Sequence, residues 1–554
     1  MDRRQFLAFL GSSLTALLLR RLRPPAGEEF AYFLWSGALT ASSIRAKARI
    51  SFDSSSVRLV ASTQPDLSSP IYSTYATADA TNNRVADLSL DNLAAGTTYY
   101  YTVEANGQQS ALRGRFHTPD APAGTPFSFS LACASCALTG SSHPVFTTIQ
   151  QKDPLFFLHL GDFHYQDIGV NDVNLYRQAF DSVLASPTQA ALYGQVPLVY
   201  VWDDHDYGPN DSDATAPGRA AARATYQEYV PHYPLPAGSG DIPIYHAFTI
   251  GRVRFIVTDN RSERTPKTAP DDAGKSILGP TQKTWFKQQL LAARDAYPLV
   301  IWACSTPWHS GPAYPNGDDF SGYTSERQEL ADFIYQDRIR NLCILSGDIH
   351  MVGLEEGLNN RYGSDGFPGF PLLQAAALDH PLHTSYPGVT YSHGQFPGAG
   401  QFGLVTITDN GGPTVQVRFS GHTADDQELT ALEQTFPPPP RLWFRPDILA
   451  FYQVVGGPAL LSQSLTLTNT GTGPLTYQAT PSANWLAVQP ATGQILPDDP
   501  QALAVTVTPA GLPLGQHTAT LTITAPEASN SPQTVPVTCL ITDQPPQFRP
   551  LING

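Results

Sequence analysis

Six stretches of this sequence carry an apolar run into side chains that can bind a cation or a phosphate. In VYVWDDHDYGPN, residues 199–210, Asp203, Asp204, His205 and Asp206 stand side by side, with Asn210 just beyond. Adjacent like charges resist burial, so such a group persists where a cation offsets it, where carboxyls share a proton, or where water reaches it. The same ending recurs at Cys136 in SLACASC, Asp162 and Tyr165 in FLHLGDFHY, Asp259 and Arg261 in IVTDNRSER, His309 in ACSTPWHS, and Asp348 and His350 in ILSGDIH. One Asp after a strand is usually a turn or helix-cap residue. Recurrence at one tip after another points instead to a shared site for metal or acid/base chemistry. His164 points away from its neighbours on an extended chain and is a weaker candidate. In FSFSLAC the alternation sends Cys133 into a core and leaves Cys136 past the tip. With no second CxxC in the chain, CASC is not half of a four-cysteine zinc site.

The elements that must position these residues lie between about 123 and 426, where short apolar runs alternate with amphipathic stretches such as GRAAARATYQEYV, TQKTWFKQQLLAARD and SERQELADFIYQDRI. That alternation predicts an α/β sheet covered on both faces, with ligands at the carboxyl ends of the strands. Residues 27–122 read as short strands, and Leu90, Leu93, Thr97, Tyr99 and Tyr101 look like the corner of a fibronectin type III-like β-sandwich. Residues 427–447 form a proline-rich linker, and 448–545 return to period-two alternation, a second, immunoglobulin-like β-sandwich without a catalytic cluster. The chain is therefore multidomain, as its 554 residues suggest. Residues 1–26, with Arg3 and Arg4 before Phe6, Leu7 and a short apolar run, resemble a twin-arginine export signal. No other segment reaches the length of a membrane span, so none is expected in the mature chain. A formal net charge of −15, with no basic block after residue 23, argues against a nucleic-acid-binding surface. Five cysteines in so long a chain are not a disulfide framework, and Cys304 and Cys343 sit in apolar strands as core thiols.

ASC, GD-x-x-Y, WDDHD and SGD-x-H, in that order behind an export signal and a small β domain, resemble the PhoD-like alkaline phosphatases and phosphodiesterases of the calcineurin-like metallophosphoesterases. The C-terminal NWLAVQPATGQI and GLPLGQHTATLTI resemble BACON-type modules. The first resemblance covers residues 1 to about 420 and implies a four-layer α/β/β/α sandwich with metals at the strand ends. The D-x-H opening block usual in metallophosphoesterases is missing, and Cys136 stands in its place. Carried over, the pattern makes Cys136, Asp162, Tyr165 and His350 ligands of one metal, with Asp162 bridging to a second held by Asp204, Asp348 and Asn210. Thiolate, phenolate and imidazole favour a transition metal, here ferric iron, while an all-oxygen set suits calcium, with magnesium, manganese or zinc as the alternative second ion. The implied activity is hydrolysis of small phosphate mono- or diesters outside the cell, after passage through the twin-arginine machinery, by a hydroxide formed at the metals and attacking phosphorus in line. His205 would protonate the leaving oxygen, Asp206 would orient that imidazole or bind just behind the metal ligands, Asp203 would hold the loop, and Arg261 and His309 would bind substrate. A phospholipase- or nuclease-like phosphodiesterase on the same fold and a non-catalytic cell-surface adhesin are the alternatives.

Overall fold

The computed structural model describes residues 29–543, apart from 312–315, 365, 367, 376, 382–387 and 498. The expected export signal at 1–26 lies outside the described residues. The chain forms two compact units, one ending at Gln434 and the other beginning at Thr435.

The first unit is built on two sheets. One has nine strands, in the order Glu428–Phe436, Val415–Thr423, Gln401–Thr408, Phe129–Ala134, Phe156–His159, Leu198–Tyr200, Ala31–Gly37, Ser43–Ile50 and Val85–Asp91. The other has seven, in the order His246–Ile250, Val253–Thr258, Leu299–Cys304, Leu342–Ser346, Leu372–Ala375, Met351–Glu355 and Gln395–Pro397. Each sheet has a parallel centre: Phe129–Ala134, Phe156–His159 and Leu198–Tyr200 in the first, and Val253–Thr258 through Leu372–Ala375 in the second. Their facing sides interlock, Phe156 meeting Phe248 and Phe255 edge-on at 5.9 and 5.4 Å between ring centres. Helices Gly279–Arg294 and Thr324–Gln336 close the outer face of the seven-stranded sheet, where Phe286, Leu290, Leu330 and Ile334 join Trp302 and Ile344 in one buried cluster. Helices Val173–Leu184, Pro187–Gln195 and Arg219–Tyr229 lie against the nine-stranded sheet. Burial on both faces explains why the central strands are continuously apolar.

The N-terminal β region differs from expectation. A sandwich does form: strands Ser54–Ser62 and Thr98–Ala105 pair in a separate six-stranded sheet, and Tyr99 accepts a hydrogen bond from the Ala94 backbone N–H at 3.0 Å, closing the anticipated corner. Its other sheet, however, is no separate body. Strand Ala31–Gly37 pairs in parallel with Leu198–Tyr200, so three N-terminal strands extend the central sheet. A side chain on Gly37 would come within 2.4 Å of the Pro231 carbonyl and 2.5 Å of the Leu198 carbonyl, so the seam needs glycine. Trp35 locks the joint, donating its indole N–H to the Tyr229 carbonyl at 3.0 Å. Residues 27–122 and 123–426 thus share one unit, because pattern within strands does not reveal which strands pair across a domain boundary.

The second unit is a β-sandwich of a four-stranded and a six-stranded sheet. Val535, Val537, Cys539 and Ile541 alternate inward along one strand and meet Leu465, Leu467, Leu503 and Val505 from the other sheet. Among the described residues no helix is long and apolar enough to cross a membrane.

Beneath the site, His159 is fully buried against Phe157, Phe163 and Tyr200, and neither ring nitrogen has a hydrogen-bond partner. Burial pushes its pKa down to about 3. The unfolded chain takes up a proton near pH 6.5 that the folded chain refuses, so this stability is complete above pH 6.5 and erodes as pH falls toward 3. His159→Phe should leave unfolding at pH 7.5 little changed. It should lessen the acid loss by about 1.4 kcal/mol per pH unit below 6.5, read from denaturant unfolding at pH 7.5 and 4.5; parallel losses in the two proteins would contradict the assignment.

Candidate metal centre

The carboxyl ends of the parallel strands of both sheets open into loops that carry the predicted residues. Ala134 leads to Cys136, His159 to Asp162 and Tyr165, Tyr200 to Asp203–Asp206, Thr258 to Asp259–Arg261, and Ser346 to Asp348 and His350. The loops are tightly folded: Cys136, Asp162 and Asp348 have φ of 62°, 53° and 70°, in the left-handed region that costs a side-chain-bearing residue energy. Gly161 (φ 101°) lets the Asp162 loop touch the next one, since a Cβ there would lie 2.5 Å from Asp203 Cβ.

These turns bring donors together. Cys136 Sγ lies 3.4 Å from Asp162 Oδ2, and the Tyr165 hydroxyl is 2.9 Å from that oxygen and 3.3 Å from His350 Nε2. Ligand atoms of Cys136, Asp162 and His350 fall within 4.8 Å of one another, as do those of Asp162, Asp204 and His205, and those of Asp203, Asp204 and Asp348. Asp162 belongs to the first two sets and Asp204 to the last two, the arrangement needed for neighbouring cations with a shared carboxylate. Asn210 is exposed on the turn after the Asp204 helix. Asp162 Oδ1, Asp203 Oδ2 and Asp204 Oδ1 are buried and accept no hydrogen bond. Burial, with Asp204 and Asp203 beside it, drives the Asp162 pKa well up; burial with Asp203 and Asp204 does the same for Asp348. Burial and the adjoining Asp162 carboxylate likewise raise Cys136 and Tyr165. Left alone, such a cluster holds protons. A cation relieves it, and the donor set, a thiol, a phenol and an imidazole on one side and carboxylates on the other, fits one transition metal and one hard ion.

The structure divides WDDHD by role. Residues 204–207 form a single helical turn that Asp203 and Asp206 cap reciprocally. Asp206 does not orient His205: it accepts from the Tyr200 hydroxyl at 2.6 Å, the Asp203 N–H at 2.7 Å and the Phe163 N–H at 2.9 Å, and is buried. The partner of His205 is Asp167, whose Oδ1 lies 2.6 Å from Nδ1, while the Tyr165 ring packs 4.2 Å from the imidazole. Asp203 holds the loop as expected, taking hydrogen bonds from Arg261 and Ser305.

Two expected substrate contacts are corrected. Arg261 is fully buried; Nε donates to Asp203 at 2.6 Å, one terminal nitrogen donates to Asp318 at 2.6 Å, and the other lies 3.6 Å from Asp204. Two of its three nitrogens are taken by carboxylates and the third makes no hydrogen bond, so most of its fork braces the loops. Burial opposes ionisation of Asp204, yet Arg261 and His205 hold its pKa at about 2. His309 uses both ring nitrogens, on the Tyr362 hydroxyl at 2.8 Å and the Thr390 carbonyl at 2.9 Å, and is 2% exposed, so it is a structural residue. Asp259 caps its own turn, accepting from the Arg261 and Ser262 N–H groups and from Trp202. His164 is buried and outside the donor sets, as its alternation implied.

Sequence reading missed Asp167, Asp211 and Asp318. Asp318 pairs with Arg261 and Arg264, and one oxygen each of Asp211 and Asp318 joins Asp204 in a further acidic group. Asp318 sits in a loop far along the chain with no apolar run before it, so no local signal marks it. Asp167 lies five residues past Asp162 in the GDFHYQD stretch and could have been weighed as the imidazole's partner.

Residues 129–356 match the family model described as PhoD-like phosphatase, and residues 449–540 match that of the viral BACON domain, in keeping with both resemblances read from the sequence. Alkaline phosphatase D of Bacillus subtilis (strain 168) is 25% identical over 312 residues, 47% of this chain and 52% of the relative, so the chain spans about half the length of that protein. A solved structure of PhoD superposes with a TM-score of 0.60 at 16% identity, covering 73% of this chain and 93% of that one, a likeness of fold. Purple acid phosphatase PPD1 from yellow lupin gives a TM-score of 0.49 at 13% identity over 74% of this chain and 75% of that one.

Replacing Arg261 by Met should strand the buried Asp203 without its counter-charge and leave Asp318 to Arg264 alone. The expected loss is about 3–5 kcal/mol in denaturant unfolding of the metal-free protein. A variant of unchanged stability would mean that the guanidinium is not the brace described above.

Proposed function

We propose that this protein, which carries a PhoD-like phosphatase domain, is a metal-dependent phosphoric ester hydrolase acting on small phosphate mono- or diesters. The observation that carries the reading is the meeting of Cys136, Asp162, Tyr165, His350, Asp204 and Asp348 from four strand ends, with buried carboxylate oxygens that accept no hydrogen bond. Cys136, Asp162, Tyr165 and His350 would hold ferric iron, and Asp204, Asp348 and Asn210, with Asp162 shared, would hold calcium or another hard divalent ion. Bound there, the cations supply Lewis acidity and lower the pKa of coordinated water.

The chain's own groups do the rest. Water provides the oxygen that bonds to phosphorus; the ester P–O bond breaks with its electron pair on the leaving oxygen, which takes a proton from His205, and the proton released by water restores the imidazole. Asp167, on Nδ1, leaves Nε2 as the donating nitrogen, and the Tyr165 ring fixes the imidazole plane. Arg261 neutralises the carboxylates behind the site instead of gripping substrate. We further propose export through the twin-arginine machinery, supported by the Arg3–Arg4 signal, to the periplasm, cell surface or medium.

His205→Asn should lower turnover of an alkyl phosphate by about 10²- to 10⁴-fold while metal content is retained, and should lower that of a nitrophenyl phosphate much less, because a nitrophenolate leaves without a proton. Asp167→Asn should show the same dependence on leaving group with smaller losses, whereas Asp206→Asn should act on stability. Equal losses for both esters in His205→Asn would reject the proton-donor role. Loss of metal would make His205 a ligand.

A further inference from the structure

Beside the candidate proton donor, the loop 166–170 and helix Val173–Leu184 bound an open groove of about 350 Å³. One wall is Asp167, whose carboxylate lies 2.6 Å from His205 Nδ1, so the groove adjoins the candidate proton donor through that contact. Val170 and Leu175, 52% and 39% exposed, offer aliphatic surface to the groove, and the buried Ile168 and Ala179 line it more deeply. Gln166, Gln178 and Ser182 add a neutral polar side to the lining; no lysine, arginine or histidine lines it, and its single charge, Asp167, is already engaged by His205.

We propose that this groove is the subsite for the alcohol portion of the ester, and that this portion is uncharged and carries an aliphatic segment of several carbons. The proposal rests on the hydrolase reading. A leaving oxygen protonated by His205 starts its carbon chain beside the imidazole. The Tyr165 ring covers one side of that imidazole at 4.2 Å, and His380 stacks on Tyr165 beyond it at 4.4 Å. The chain is thereby directed past the opposite side, toward Asp167 and the groove. A volume of about 350 Å³ suits a small organic group; Val170, Leu175, Ile168 and Ala179 favour contact with its carbon chain, and Gln166, Gln178 and Ser182 are neutral neighbours for it. A second phosphate on the alcohol would find the Asp167 carboxylate and no lysine or arginine in the groove to pair with, which disfavours nucleotides and other polyanionic leaving groups.

Ethyl, butyl and hexyl phosphate have leaving groups of nearly equal basicity, so their comparison isolates fit. In metal-loaded wild type, kcat/KM should rise about 2- to 4-fold per methylene along the series, and butane-1,4-bisphosphate should run roughly 10-fold or more below butyl phosphate. The double substitution Val170→Asp with Leu175→Asp, at exposed positions outside the donor cluster, should flatten the series while leaving ethyl phosphate within about twofold of wild type. Binding supplies a readout that needs no turnover: by calorimetry, hexylphosphonate should bind wild type more tightly than ethylphosphonate, and the double variant should lose the preference. A flat series in wild type, or a slope that survives in the variant, would overturn the subsite. If no ester is hydrolysed but the phosphonates still show the chain-length preference and the variant abolishes it, the hydrolase reading fails and the aliphatic subsite stands.

Discussion

The guanidinium of Arg261, buried among Asp203, Asp204 and Asp318, is the interaction on which the rest of the site depends. Three carboxylates cannot enter a sheet-end cavity without compensation, because desolvation alone would protonate them. Arg261 anchors Asp203, shares Asp318 with the buried Arg264, and together with His205 keeps Asp204 ionised. It does not offset Asp162 and Asp348, whose burial and carboxylate neighbours raise their proton affinity in spite of its pull on Asp348. The division is functional: Arg261 meets the charge required for shape, and the uncompensated remainder is the charge that draws cations.

That arrangement explains why the site lies where it does. Parallel strands of two facing sheets all end at one edge, so the loops that follow them converge. The left-handed turns at Cys136, Asp162 and Asp348 aim the donors inward. Small glycines at the contact points allow neighbouring loops to approach. The same geometry leaves His205 at the rim, half-buried, where a proton can be passed to a leaving group and replaced from solvent.

Much of this could be read from the sequence because it is local. Strand tips ending in Cys136, Asp162, Asp204 and Asp348 advertise themselves by an apolar run breaking into a donor, and the helices by their amphipathic spacing. What escaped reading depends on contacts distant along the chain. Arg261 and His309 have the chemistry of phosphate ligands, but only the fold shows that Asp318 and Asp203 occupy the one, and Tyr362 and the Thr390 carbonyl the other. Asp206 and Asp167 are similar carboxylates near the same histidine, and the helical turn sends one beneath the site and the other to the imidazole. Likewise the N-terminal strands carry no sign in their own alternation that they extend the central sheet through Gly37 and Leu198.

The central claim, that the strand-end donors hold two unlike cations, is tested most directly by elemental analysis of the purified full-length protein alongside its visible absorption spectrum. The account predicts iron and calcium, with a charge-transfer band from the Tyr165 phenolate and Cys136 thiolate that disappears together with iron in Cys136→Ser. A colourless protein that hydrolyses phosphate esters at full rate without bound metal, or a Cys136→Ser variant that keeps both iron and band, would contradict it.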